Sequence, residues 1–420
     1  MILLVVGLLI FLALMGMPLF GVLAVGGIYA SMQADIDPTI LIVEMNRVAT
    51  SPNLIAIPLF TLAGMTMAAG GAPQRMIRLS NAIFGWMPGG LAIVAVVSCA
   101  FFTAFSGASG VTILALGGLL CPMLLSVGYP GRFTYGLLTS SGSLGLLFPP
   151  SIAVLLYGVV AGVNIDDLFL AGVAPGLLLL GMLALYSYFI GLRSPIKQQP
   201  FSLHELIKEA RVGIWDIALP LFILVGIFGG FVTLTEAAAL TAAYVLFVEV
   251  VLFGNINLRH QLIDILVDTS ILVGSILIIL GAAIGLTNLL IDAEIPMKML
   301  AFVETHIDSP VQFLIFLNLL LLVVGAMMDI FSAIMVVVPL LLPLASRYGI
   351  DPIHLGIIFL ANLEIGYTTP PVGINLFIAS QRFNKPIHML FRASLPFLGI
   401  MLVWLIILTY VPSLSLWWRD

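Results

Sequence analysis

Four short runs interrupt an otherwise apolar chain with groups able to bind an ion or a polar solute. Two carry a proline doublet, SSGSLGLLFPPS at 140–151 and NLEIGYTTPPVGIN at 362–375. Proline lacks an amide hydrogen, so each doublet frees carbonyls of the preceding turn, which can then coordinate a cation. The half-helix that begins after each doublet points its positive end at an anion. The other two runs read as tight tips. FFTAFSGASG at 101–110 offers Thr103, Ser106 and Ser109, with Gly107 and Gly110 to let the chain turn, and GAMMDIFSA at 325–333 offers Gly325, Asp329 and Ser332. One hydroxyl in an apolar helix is ordinarily a packing contact, and proline kinks are common in such helices. Weight comes from finding tip and break twice.

The elements that must position these runs follow from composition. The chain is 61% hydrophobic and 8% charged, against about 25% charged in soluble domains. Apolar stretches of about 20 residues, enough to cross a hydrocarbon core, recur at 1–30, 168–191, 214–231 and 389–411. The lipid bilayer is therefore the solvent, and the fold class is an all-α polytopic membrane protein. The first stretch lacks a basic leader and a small-residue cleavage site, so it reads as a retained span. Cys99 and Cys121 lie in apolar runs as small hydrophobes. A net charge of −5 with no basic patch visible along the sequence excludes nucleic acid as a partner.

Sliding the chain 221 places along itself aligns Gly64 with Gly285, Pro122 with Pro343, Gly128 with Gly349, Gly145 with Gly366, Pro149 and Pro150 with Pro370 and Pro371, and Pro175 with Pro396. These residue types set backbone shape, so a co-linear series of them marks an internal repeat. The first repeat covers 1–191, with a re-entrant hairpin at 89–130 and a broken helix at 133–161. The second covers 232–420, with a hairpin at 310–350 and a broken helix at 354–380. Between them lie a cytoplasmic connecting segment, 192–213, read as a surface helix, and a linking span, 214–231.

Arg75 and Arg78 mark a basic loop in the first repeat, whereas the equivalent loop, 292–308, holds Asp292, Glu294, Glu304 and Asp308 against Lys298. Basic residues stay on the cytoplasmic side of short loops, so the repeats are expected to be inverted. Letting both hairpins enter and leave on one face puts eleven basic residues inside and four outside (Arg47, Lys298, Arg347 and Arg419). The amino end is then cytoplasmic and the carboxyl end periplasmic.

Few acids fall within spans. Asp329 at a tip, aligned with Ala108, and Glu364 beside the second break are functional candidates, Asp329 either aiding cation affinity and cavity polarity or capping the helix after it. Glu249 is expected to snorkel from a helix end, and Glu236 to favour the start of a helix that follows Thr235. No Lys, Arg or His lies deep in a predicted span, which favours sodium over a proton relay.

The runs GSLGLLFPPSIAVLLYGVVAGVNIDDLFLAGVAPG, GGFVTLTEAAAL and EIGYTTPPVGINLFIAS resemble the DctM-like large membrane subunit of TRAP transporters, the tripartite ATP-independent periplasmic carriers, and the likeness covers essentially the whole chain. The resemblance implies an elevator of scaffold and transport domain, driven by sodium. It also implies a periplasmic substrate-binding protein that delivers a small organic acid, and a small four-helix membrane subunit, expected here as a separate polypeptide. Its sodium sites carry over to Thr103, Ser106 and the carbonyls of Gly145, Phe148 and Pro150, and to Gly325, Gly366, Thr369 and Val372. Ser109, Ser143, Asp329 and Asn375 are the solute candidates. No cofactor is expected beyond sodium as the coupling ion. A channel is the competing reading, because polar broken helices also build selectivity filters. An intramembrane enzyme is disfavoured, since His204, His260, His306, His354 and His388 fall at loops or span ends without acids at metal-ligand spacing. A reporter fused after Asp420 is expected to be active only in the periplasm; cytoplasmic activity would overturn the inverted arrangement.

Overall fold

The computed structural model describes residues 17–33, 52–194, 200–292 and 309–419, with isolated positions at 7–9, 11–12, 36–39, 42–43, 45–46, 305 and 307. Among these the chain is helical throughout. The first half contains α1 (Leu19–Gln33), α2 (Ala56–Ala69), α3 (Ala72–Phe84), α4 (Gly90–Ser106), α5 (Ser109–Val127), α6 (Gly131–Ser141), α7 (Ile152–Ala161) and α8 (Ile165–Arg193). After α9 (Leu203–Phe228), the second half contains α10 (Leu234–Leu246), which continues through a π-turn at Phe247–Leu252, and α11 (Gln261–Asp292). It ends with α12 (Pro310–Met327), α13 (Ile330–Arg347), α14 (Pro352–Gly366), α15 (Ile374–Phe383) and α16 (Ile387–Tyr410). Among the described residues eight helices are long and apolar enough to cross a membrane, and α2 with α3, bent by 72°, makes a ninth if the pair is taken as one span.

Local chemistry explains the boundaries. Asn164, Ser202, Thr233 and Asp351 each accept amide bonds at the start of α8, α9, α10 and α14, satisfying donors that the first helical turn leaves unpaired. Gly128 after α5 and Gly349 after α13, partners at the repeat offset, both have positive φ, 102° and 72°. That is a left-handed conformation costly for any residue with a Cβ.

The repeat carries into the packing. Within the halves α4 packs on α6, and α12 on α14. Across them α5 packs on α15 and α13 on α7, while α6 packs on α16 and α14 on α8. Each contact thus recurs with the halves exchanged, the reciprocity of a two-fold relation. Helices α1, α2, α3, α9, α10 and α11 pack among themselves and meet the rest chiefly through α2 and α3 on α4 and through α11 on α13.

Several expectations are corrected. The connecting segment does not form a separate surface helix: α8 runs to Arg193, and α9 starts at Leu203 and continues into the linking span, because Ser202 caps it and no residue breaks it before Gly229. The helix holding Glu236 starts two residues earlier than the sequence suggests, capped by Thr233, whose hydroxyl and amide pair with Glu236 in a capping box. Within the apolar stretch 1–30, Met17 and Pro18 are non-helical and α1 follows. The acidic loop 292–308 beyond Asp292, together with Arg47, Lys197 and His306, lies outside the described residues apart from Thr305 and Ile307.

The largest correction concerns Arg75 and Glu249. Arg75, expected in a basic loop, lies in α3 and is 3% exposed. Its Nε donates to Asp216 Oδ2 at 2.7 Å and its Nη2 to Asp216 Oδ1 at 2.7 Å. The same Nη2 reaches Glu249 Oε1, and the guanidinium lies 4.3 Å from the centre of the Phe253 ring. Glu249 does not snorkel: it is 1% exposed and its Oε2 accepts from the Gly71 amide at 2.9 Å and from Asn255 at 2.8 Å. The cluster fastens the α2–α3 bend to α9 and to the π-turn. Removing one member of a buried charge group strands the others, at about 3–5 kcal/mol. Arg75→Leu is expected to lower the unfolding midpoint in detergent accordingly, and an apolar triple replacement of Arg75, Asp216 and Glu249 to recover most of the loss; an unchanged midpoint for the single variant would show that the cluster does not hold the bend.

Candidate functional site

Helix α4 ends where Gly107 takes a φ of 65°, and α5 starts two residues later. Across this tip Thr103 Oγ1 lies 2.7 Å from Thr112 Oγ1 and donates to the Gly142 carbonyl at 2.8 Å, so the tip is joined to the first break. Ser106 Oγ is 3.4 Å from the Ala108 carbonyl and 3.5 Å from Thr112 Oγ1. Thr112 escaped the sequence reading, though it stands one helical turn after Ser109 on the same face.

Between α6 and α7 the chain leaves helical pairing and turns through Leu146 N to Ser143 O, Phe148 N to Gly145 O and Ser151 N to Phe148 O, each at 3.0 Å. These bonds use one lone pair on each carbonyl and leave the other. Gly145 sits so close to α4 that a Cβ there would overlap the Ala100 carbonyl and the Ala104 amide. The hydroxyls of Ser140, Ser141, Ser143 and Ser151 are buried without a partner among the described residues. Buried polar atoms ordinarily find a partner, so this concentration marks a place for water, ion or solute.

The second half repeats the plan with different side chains. A Cβ on Gly366 would overlap the backbone of Gly325 in α12. Thr369 N donates to the Gly366 carbonyl at 2.9 Å, and Thr369 Oγ1 to Ile365 O at 3.0 Å. Val372 N and Gly373 N both reach the Ala326 carbonyl, at 3.1 and 3.3 Å, and Ile330 N donates to Tyr367 Oη at 2.7 Å. This break is therefore tied directly to its hairpin. Asp329 caps α13: Oδ2 accepts from Phe331 N and Ser332 N, each at 3.0 Å, and Oδ1 pairs with the Ser332 hydroxyl.

Of the solute candidates, Ser109 abuts Gly142, next to the buried Ser143. Asn375 crosses from the second half to donate to the Thr139 carbonyl at 3.4 Å, while its Oδ1 has no partner among the described residues. These three gather at the first break, whereas Asp329 belongs to the opposite tip. Glu364 is fully buried with both oxygens unpartnered among the described residues, as is the hydroxyl of Ser143, its counterpart at the repeat offset. Two residues away, Asn362 donates to Asn318 Oδ1 at 2.7 Å, tying α14 to α12.

Comparison with known proteins places this architecture. Residues 3–414 match the family model described as tripartite ATP-independent periplasmic transporter, DctM component. The chain belongs to the DctM family. It is 38% identical to the C4-dicarboxylate TRAP transporter large permease protein DctM of Pseudomonas aeruginosa, over 90% of this chain and 88% of that one. It is 37% identical to the protein of the same description from Vibrio cholerae, over 89% of this chain and 86% of that one. The crystal structure of the Alcanivorax borkumensis YdaH transporter, whose title reports an unusual topology, superposes with a TM-score of 0.62 at 16% identity, over 88% of this chain and 86% of that one. That likeness is one of fold. A member of the DctM family is a multi-pass transport permease and not an enzyme.

The glycine contacts generate a prediction. Overpacking a closed contact costs about 1–3 kcal/mol, and at Gly366 the obstacle is backbone that cannot rotate away. Gly366→Ala is expected to abolish uptake and reduce the folded yield, with Gly145→Ala close behind, while Gly181→Ala, which meets nothing within 4 Å, leaves both unchanged. Wild-type uptake by Gly366→Ala would show that the contact is not needed.

Proposed function

We propose that this permease imports a small organic acid, such as a dicarboxylate or sugar acid, across the bacterial inner membrane, coupled to sodium. The observation that carries the proposal is the pairing of each broken helix with its own hairpin, made twice. At the first pairing Thr103, Ser106 and the carbonyls of Gly145, Phe148 and Pro150 would hold one sodium ion. At the second, the carbonyls of Gly325, Gly366 and Val372 with Thr369 would hold another. Both donor sets are neutral oxygens without nitrogen or sulfur, which suits a hard monovalent cation. The free lone pairs on the turn carbonyls would replace part of its hydration shell.

The solute would bind between the breaks, at Ser109, Ser143 and Asn375, with its carboxylates toward the starts of α7 and α15, where helix dipoles favour negative charge. Asp329 would add polarity to the cavity from the second tip. Because the relatives from Pseudomonas aeruginosa and Vibrio cholerae are named for C4-dicarboxylates, these are the first solutes to test. The hairpins and broken helices pack across the halves into one body, so a rigid movement of α4–α8 with α12–α16 against α1–α3 and α9–α11 fits an elevator better than rearrangement within the site. The amino end would be cytoplasmic and the carboxyl end periplasmic. A periplasmic binding protein would deliver the solute, and a separate small four-helix membrane subunit would complete the assembly, in keeping with a tripartite family.

A channel is not favoured, since a pore has no use for two pairings tied to moving hairpins. In proteoliposomes holding the full assembly, replacing sodium by choline at fixed potential is expected to reduce uptake to background. Unchanged uptake would refute the coupling, and passive currents indifferent to the sodium gradient would favour a pore.

A further inference from the structure

Folding assembles a basic surface that the sequence disperses. No acidic residue occurs between Glu44 and Asp166, or between Glu364 and Asp420. Two segments from these acid-free stretches meet where α5 and the start of α6 pack on the end of α15 and the start of α16. They bring together Arg132, Arg382, Lys385 and Arg392, of which the three arginines are exposed and the lysine half-buried. None of the four makes an ion pair among the described residues, whereas Arg75, Arg78 and Arg419 all do.

Three of the four cations are held in place. Arg132 Nη2 donates to the Arg392 carbonyl at 3.0 Å, and Lys385 Nζ lies 5.8 Å from the centre of the Tyr135 ring. The Arg382 guanidinium occupies the space that a side chain at Gly118 would fill, so the bare backbone of α5 seats it. Exposed apolar side chains border the patch, Leu125 and Val127 on α5 and Met389 on α16.

We propose that this surface binds the head groups of anionic phospholipids, with acyl chains along Leu125, Val127 and Met389. Charge complementarity favours an anion, since four neighbouring cations without carboxylates would otherwise repel one another. The apolar border favours a lipid over a small soluble anion. The proposal does not depend on which solute is carried.

The test uses the assembled transporter in vesicles of phosphatidylcholine with phosphatidylglycerol, with spin-labelled versions of each lipid to measure the motionally restricted fraction. Each cation near an anionic head group contributes about a five-fold preference. Phosphatidylglycerol should therefore be retained several-fold over phosphatidylcholine, and Arg382→Gln with Lys385→Gln should bring the ratio close to one. The charge-preserving pair Arg382→Lys with Lys385→Arg should keep it, as should Lys208→Gln with Arg211→Gln elsewhere on the chain. Equal retention of the two lipids by the wild type, or a preference that survives the double glutamine variant, would overturn the proposal. Displacement of the lipid by millimolar inorganic phosphate would also overturn it, marking a small-anion site instead.

Discussion

A backbone segment that leaves helical pairing inside a hydrocarbon layer must be covered by protein or line a polar cavity, because lipid offers no hydrogen bonds. This protein breaks two helices near their middles, and much of its architecture follows from accommodating them. The breaks are shielded by close approach: Gly145 lies on the backbone of α4 and Gly366 on that of α12, with no room for a Cβ at either. Short turns recover part of the lost bonding, while four serine hydroxyls at the first break keep no protein partner among the described residues. Buried polar groups thus concentrate where the chain is least able to satisfy itself.

Exchange between the halves supplies the rest of the cover. Each half-helix after a break packs on the hairpin of the other half, α7 on α13 and α15 on α5. Each break is therefore covered from both halves. The same exchange links each break to both hairpins, its own half's through the first half-helix and the other half's through the second. The halves are nevertheless not equivalent in bonding. The second break is fastened to its hairpin through the Ala326 carbonyl and Tyr367, the first through Thr103.

Outside this body, the cluster of Arg75, Asp216 and Glu249 has a different role. It places two carboxylates and one guanidinium out of water with all four carboxylate oxygens bonded, and joins three separate elements at a 72° bend. Buried ion groups are weak sources of stability but specific ones, because a misplaced element leaves a charge unpaired. Here the specificity falls on the angle at which α3 leaves α2 and meets α4.

Much of the fold was legible in the sequence, because its signals are local. Apolar length marks spans, proline and glycine mark breaks and turns, and an offset of 221 residues exposes the duplication. The tips around Thr103 and Asp329 and the doublets at Pro149 and Pro370 could be found for that reason, and family membership followed from the same runs. Groups that meet only through folding were not legible. Nothing near Arg75 in the chain announces acids 141 and 174 residues away, so a buried arginine read as a loop residue and Glu249 as a snorkelling one. Thr112 and the Asn375 contact with Thr139 stayed hidden for the same cause. Where the backbone must break, and which polar groups lie beside the breaks, follow from residue type and chain neighbours. Only the tertiary structure decided which charges are paired, which oxygens are left open and which cations share a surface, since these depend on distances between parts of the chain that no local pattern encodes.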